Sequence, residues 1–386
     1  MAKTYLSERV LSMKESGIRK FFQIAATMKD VISLGIGEPD FDSPPAITQA
    51  GLDALNNQQT HYTSNRGLLP LRQAISDHLA ERYDVRYDPV EEIGITVGGS
   101  EALLVTCAAL LNPGDEVILP TPCFVSYQGV ITMFGGVPVE IPCYMENNFV
   151  PDPDEIEKAV TAKTKAVLLN YPSNPTGAVA DRETLLAIAR IAEKHDLIVI
   201  SDEIYDRLVY GAEHVCFSAL PGMRERTILV SGFSKDYAMT GWRIGYVCAP
   251  ADLCGALVRI HQYVIMAAPT ISQHGAIAGL KESEADVQKM AAEYDRRRRL
   301  IVEGFNYIGL PTFEPRGAFY AFPRVSVTGL SDEEFADRLL HEKHVAVVPG
   351  SAFGPGGEGF VRCSYATAFD QIEEALDRID QFVKSL

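Results

Sequence analysis

Ser231-Gly-Phe-Ser-Lys-Asp-Tyr-Ala-Met-Thr-Gly-Trp-Arg-Ile-Gly245 places one amine, that of Lys235, beside a hydroxyl and eight residues ahead of a guanidinium. Lysine can condense with an aldehyde to a Schiff base, while Ser234 and Arg243 supply a neutral donor and a fixed cation suited to a phosphate. The grouping is what a phosphorylated aldehyde cofactor requires. A lone Ser-Lys pair would read better as a solvated loop lysine with an arginine packed nearby, so the rest of the chain has to decide.

Seven further marks run along the chain: Gly35-Ile-Gly-Glu-Pro-Asp-Phe41, Tyr62-Thr-Ser-Asn-Arg-Gly67, Gly98-Gly-Ser-Glu101, Pro122-Cys-Phe124, Asn170-Tyr-Pro-Ser-Asn-Pro-Thr-Gly177, Ser201-Asp-Glu-Ile-Tyr205 and Val361-Arg-Cys-Ser-Tyr365. With the lysine run they occur in the order found in the fold-type I pyridoxal-phosphate enzymes. Over nearly its whole length the chain resembles the class I/II aminotransferases, in particular their aspartate/aromatic branch. The resemblance implies an α/β fold: a large domain with a mostly parallel seven-stranded sheet flanked by helices, plus a smaller α+β domain. It also implies pyridoxal 5′-phosphate as cofactor and a homodimer as the active unit. The expected division is residues 46–282 for the large domain, with 1–45 and 283–386 forming the small one.

Bulk properties narrow the partners. With 386 residues the chain can fill two or three compact domains. Its 51 acidic and 35 basic residues give a net charge of −16, which repels nucleic-acid phosphate and anionic lipid and argues against both as partners. Seven scattered cysteines with no Cys-x-x-Cys pair fit a reduced, cytoplasmic protein. The N-terminus has no apolar core of signal-peptide length, and the longest greasy run, residues 102–111, is too short to span a bilayer. His341-Glu-Lys-His344 lacks the spacing of a zinc-protease helix and reads as a solvated helix end, so no metal is expected.

From about residue 90 to 250, short apolar runs alternate with helix-period segments, the pattern of crossover units building a parallel sheet. Strands are predicted near 93–97, 117–119, 137–141, 166–169, 198–201, 228–231 and 244–247, the last antiparallel by resemblance. Helices are predicted at 101–111 and 184–195. Asn174, Asp202, Tyr205 and Lys235 all fall just after strands, and ligands of open α/β sheets bind at such carboxyl ends. After residue 280 a long charged helix, a helix at 332–342 and a terminal helix from Gln371 suggest the smaller domain. The arginines at 296–299 span a full helical turn and cannot share one binding face, so solvation and ion pairing are expected for them.

Each candidate residue has a chemical reason. A buried carboxylate that keeps the pyridine nitrogen protonated makes the ring a better electron sink, and Asp202 matches the family's aspartate in this role. Alone it reads equally as a strand-end turn former. By resemblance, Tyr205 and Asn174 donate to the cofactor's phenolic oxygen, although Asn174-Pro-Thr-Gly177 is also a plain turn sequence. Gly98-Gly-Ser-Glu101 joins a strand to a helix, so the N–H groups of Gly99, Ser100 and Glu101 meet a phosphate at a helix N-terminus; alternatively Ser100 simply caps the helix. Phe124 matches a ring stacked on the cofactor, and Tyr62 resembles a tyrosine that reaches the phosphate from the partner subunit. Arg362 suits the substrate's α-carboxylate because guanidinium offers two parallel donors, and Gly37 adds a backbone donor by resemblance. Lys235, Asp202 and Tyr205 are the expected catalytic set. The freed lysine takes the Cα proton and returns it to the cofactor, in a ping-pong exchange through pyridoxamine phosphate.

Two departures bear on the substrate. Gly232 stands where many relatives have a phosphate-binding serine. Ser100 replaces the lysine that, in one aspartate aminotransferase branch, grips the distal carboxylate; Arg19 and Arg316 are possible substitutes or plain salt-bridge residues. Ile18, Phe21, Phe22 and Tyr127 are read as apolar groups near the mouth, suiting aromatic or other neutral amino acids with 2-oxoglutarate as acceptor. An aspartate or N-acyl-diaminopimelate aminotransferase, a carbon–sulfur β-lyase, and a non-enzymatic regulator domain on this fold stay as alternatives. The last has no helix-turn-helix extension to support it.

Overall fold

The computed structural model describes residues 5–7, 10–11 and 28–386. Arg19, Ile18, Phe21 and Phe22 lie outside the described residues. The central sheet contains β2 (Ile93–Thr96), β3 (Glu116–Thr121), β4 (Val137–Pro142), β5 (Thr164–Asn170), β6 (Ile198–Asp202), β7 (Thr227–Gly232) and β8 (Gly245–Cys248), in the order β2-β8-β7-β6-β5-β3-β4. All seven predicted strands are present. β8 alone runs antiparallel to both its neighbours, β2 and β7.

These strands read as unbroken apolar runs because both faces are covered, and within them alternate residues serve opposite layers. Val117, Leu119, Ala166, Leu168 and Ile200 pack with α3 (Gly99–Leu110) and α7 (Ala251–Val264). Ile118, Val167, Leu169 and Val199 pack with α6 (Arg182–Lys194), through Leu185, Ile188, Ala189 and Ala192. Helix α6 starts two residues ahead of the predicted 184 because the Asp181 carboxylate accepts the Thr184 N–H at 2.8 Å, meeting one of the donors that a helix start leaves unpaired.

Helix α8 (Thr270–Glu282) leads to α9 (Glu284–Ile308), and beyond it lies a second, three-stranded antiparallel sheet. Its strands β9 (Tyr320–Ala321), β11 (Val348–Pro349) and β12 (Val361–Ser364) stand in the order β11-β12-β9. Helices α10 (Asp332–Lys343) and α11 (Phe369–Val383) belong to the same region. Near the other end of the chain, β1 (Ile32–Ser33) pairs in parallel with β10 (Val345–Ala346). One continuous apolar cluster joins Ile32, Ile95, Leu229, Phe319 and Phe382, so both sheets share a core.

All four arginines at 296–299 form ion pairs, as expected, with Glu293, Asp295, Asp40 and Glu314. Arg297 and Arg298, however, are buried rather than solvated, because their guanidinium groups link α9 to other segments. His344 is the left-handed residue that ends α10, and His341 bonds the Asp337 carbonyl one turn back. No helix among the described residues is long and apolar enough to cross a membrane.

Candidate active site

The ends of β2, β3, β5, β6 and β7 and the start of the reversed β8 lie along one edge of the central sheet. The predicted groups gather there. Lys235 follows β7, and its Nζ donates to the Gly37 carbonyl at 2.5 Å. That nitrogen lies 5.9 Å from the Tyr205 ring centre and 5.6 Å from that of Phe319. Burial first, then the positive charges of Arg362 and Arg243, lower its pKa to about 8.

Asp202 ends β6 and is buried. Its Oδ2 accepts the Tyr127 hydroxyl at 2.8 Å and its Oδ1 accepts the Ile204 N–H at 3.2 Å. Burial pushes its carboxyl up to about 6, opposed by those two donors and by Lys235. Tyr127 is therefore not at the mouth, where its apolar character had placed it. It is fully buried, and its hydroxyl orients the aspartate. Asn170, which sequence reasoning passed over, positions two predicted groups: Nδ2 donates to the Asp202 carbonyl at 3.0 Å, and Oδ1 accepts the Asn174 N–H at 3.0 Å. A polar residue closing an apolar strand was the available signal.

Arg362, on β12, brings the second sheet to the same place. Its Nη1 donates to Asn174 Oδ1 at 2.9 Å and its Nη2 to the Gly35 carbonyl at 2.6 Å, while Nε is buried with no partner among the described residues. Because arginine only donates, the Asn174 atom facing it is the amide oxygen, which leaves Nδ2 to donate elsewhere. The guanidinium carbon lies 4.6 Å from the Tyr320 ring centre and 4.9 Å from that of Phe353. The Tyr205 hydroxyl is 2.9 Å from that of Tyr320, a residue the sequence did not single out.

Across the site, Gly98 precedes α3 with φ +78 and caps it without a side-chain bond. The alternative of a Ser100 cap therefore fails; Ser100 is exposed. Backbones close up here: a Cβ on Gly245 would stand 2.7 Å from the Gly98 carbonyl carbon, and one on Gly98 would stand 2.8 Å from Arg243 Nη2. Arg243 itself donates to the Thr240 carbonyl at 2.8 Å. Glu101 turns inward, accepting the Val97 N–H at 2.5 Å and meeting His261 Nδ1 at 2.7 Å. Its own N–H donates to the Gly98 carbonyl at 3.2 Å, so Gly99 and Ser100 hold the amides available to a ligand. Ser234 is buried beside the lysine, Phe124 meets Tyr127 edge-on at 5.6 Å, and Tyr62 is 82% exposed. Arg316 donates to the Gly211 carbonyl.

The donor set fits pyridoxal phosphate. An amine of lowered basicity, a braced buried carboxyl, and a cation over a helix N-terminus correspond to its aldehyde, its ring nitrogen and its phosphate.

Fold and site together define a vitamin B6 transferase, and the chain belongs to the aminotransferase class I and II family, whose model matches residues 29–379. It is an aminotransferase of fold type I, and its cofactor is pyridoxal 5′-phosphate. A putative aminotransferase of Bacillus subtilis, YugH, is 50% identical, covering 98% of each chain. The aspartate aminotransferase of Pyrococcus abyssi is 48% identical, again covering 98% of each. Among solved structures, the aromatic aminotransferase of Pyrococcus horikoshii superposes with a TM-score of 0.91 at 46% identity, covering 95% of this chain and 99% of that one.

Proposed function

We propose that Lys235 anchors the cofactor and moves the proton of the transamination, while Arg362 clamps the α-carboxylate of an L-amino acid. The observation that carries this is the recessed Lys235 amine, brought down to about 8 and in electrostatic contact with Arg362, Arg243 and Asp202. Bound pyridoxal phosphate supplies an electron-withdrawing ring that acidifies the substrate's Cα–H. A lysine of this lowered basicity has an unprotonated fraction near neutral pH that an ordinary lysine lacks, and it can take up that proton and return it. Asp202 holds the proton on the ring nitrogen, and Tyr205 and Asn174 donate to the phenolic oxygen. Ser234, Arg243 and the amides of Gly99 and Ser100 hold the phosphate, with Glu101 bracing their turn and Phe124 covering the ring. Gly37 and Arg362 receive the carboxylate.

Tyr62, exposed at 82%, suits a site completed by a second copy, and we place the enzyme as a homodimer. Seven buried, unpaired cysteines support a cytoplasmic location. The division into 46–282, with 1–45 and 283–386 as the second domain, is supported by the pairing of β1 with β10.

The donor we assign is an amino acid with an aromatic or other neutral side chain, with 2-oxoglutarate as acceptor. Ser100 is uncharged, Arg316 is held by Gly211, and the rings of Tyr320 and Phe353 flank Arg362. An absorbance screen of half-reactions tests this. An aromatic amino acid should discharge the bound cofactor faster than aspartate, and the reverse order overturns the preference. Pyruvate released from cysteine with no 2-oxo acid present would indicate β-elimination instead. Lys235→Ala should abolish turnover, and wild-type turnover by that variant would refute the assignment of the lysine.

A further inference from the structure

We propose that Tyr320 is a positioning residue that couples the carboxylate clamp to the hydroxyl of Tyr205; this rests on the site assigned above and adds a member to it. Tyr320 is fully buried on β9, opposite Ser364 of β12. Residues two apart on a strand share a face, so Ser364 and Arg362 lie on the same side and Tyr320 stands beside the arginine. Its ring centre is 4.6 Å from the guanidinium carbon, and its hydroxyl is 2.9 Å from that of Tyr205. The same hydroxyl fills the space that a Cβ on Gly37 would need, and the Gly37 carbonyl holds Lys235. One side chain thus abuts the clamp, the phenol donor and the loop that receives the lysine.

Hydroxyl and ring have separable tasks. Between the two tyrosines either oxygen can donate. A phenolate oxygen in front of Tyr205 carries no proton, so Tyr205 must donate to it, and the Tyr320 proton is then directed at the Tyr205 oxygen. Hydrogen bonds in series polarise one another, which strengthens the outer donor. Burial holds the Tyr320 hydroxyl's pKa above its ordinary value, and the adjacent Arg362 charge and the bond to Tyr205 oppose that rise. The ring face, meanwhile, supports the guanidinium from one side while its Nη atoms are held by Asn174 and Gly35.

Two variants of the full-length, cofactor-loaded protein separate these tasks. Tyr320→Phe keeps the ring and removes the hydroxyl; Tyr320→Leu removes both. The readouts are the pH titration of the bound cofactor's absorbance and the affinity for 3-phenylpropionate or succinate, whichever the wild type binds more tightly. Without the Tyr320 hydroxyl Tyr205 donates less strongly to the phenolate, which should raise the titration midpoint of Tyr320→Phe by about half a pH unit or more, with ligand affinity held within about twofold. Tyr320→Leu should in addition weaken the carboxylate ligand by about fivefold or more. A Tyr320→Phe midpoint unchanged from wild type would overturn the hydroxyl's role, and wild-type affinity in Tyr320→Leu would overturn that of the ring. Borohydride reduction of the loaded wild type that leaves the Lys235 peptide unmodified would instead sink the lysine assignment itself, so the two failures are distinguishable.

Discussion

Arg362 shows how much of the site depends on the geometry of one side chain. Two of its nitrogens are held by Asn174 and Gly35, and the third is buried with no partner among the described residues, so the fork is oriented and keeps a donor to offer. Lysine would keep the charge but offer a single point donor on a flexible stem. Arg362→Lys should therefore lower kcat/KM by on the order of tenfold to hundredfold, mainly through KM for the amino acid, as steady-state kinetics would record. Sequence motifs pointed to this residue, to Lys235 and to Asp202 because their chemistry is distinctive. They did not reveal Asn170, Tyr127 or Tyr320. Whether a tyrosine beside an apolar run packs as a ring or orients an acid depends on where its hydroxyl points, and only the fold fixes that. Glu101 shows the opposite failure: it lies in a phosphate-type turn, yet its carboxylate is taken up by Val97 and His261.

Among the elements, the central strands were the most legible, since a run such as Leu197-Ile-Val-Ile has few other uses than a sheet buried on both faces. Helix starts were legible where a side chain marks them, as Asp181 does for α6, and illegible where the cap is a bare backbone, as at Gly98. Asp181→Ala removes the acceptor of the Thr184 N–H and should cost about 1 kcal/mol in chemical denaturation, with kcat unchanged because α6 carries none of the assigned groups. The two-residue strands β1, β9, β10 and β11 had no sequence signature of their own. Segments that short are held in place by the neighbours they pair with, not by their own periodicity. Two of the arginines on α9 are buried for a related reason: Asp40 and Glu314, distant in sequence, supply the counter-charges that make burial tolerable.

At the scale of the whole molecule, a pair of acids beneath the site sets an expectation for pH. Asp206 and Asp236 lie side by side in the core, one next to Tyr205 and the other next to Lys235, with Tyr83, His78, His214, Arg207 and Arg82 among the groups around them. Tyr83 donates to Asp206 at 2.6 Å, while Asp236 Oδ1 has no partner among the described residues. Burial and the adjacent carboxylate hold Asp236 well above the usual range, so the pair shares one proton. Above the unfolded aspartate value of about 3.9 the folded chain then binds more protons than the unfolded chain, and stability falls as pH rises toward the folded value. Asp236→Asn carries its hydrogens permanently. Thermal melts should show it gaining on the wild type from pH 5 to pH 8, and a difference independent of pH would count against the shared proton.

Gly35 and Arg362, joined by a 2.6 Å bond, are separated by 327 positions in the sequence. During synthesis the glycine emerges from the ribosome long before the arginine, which follows all seven strands of the central sheet. The cofactor lysine emerges much earlier than the means of gripping a substrate. A message truncated ahead of β12 would therefore encode a product with the reactive amine but without the clamp, and competence for turnover waits for that strand.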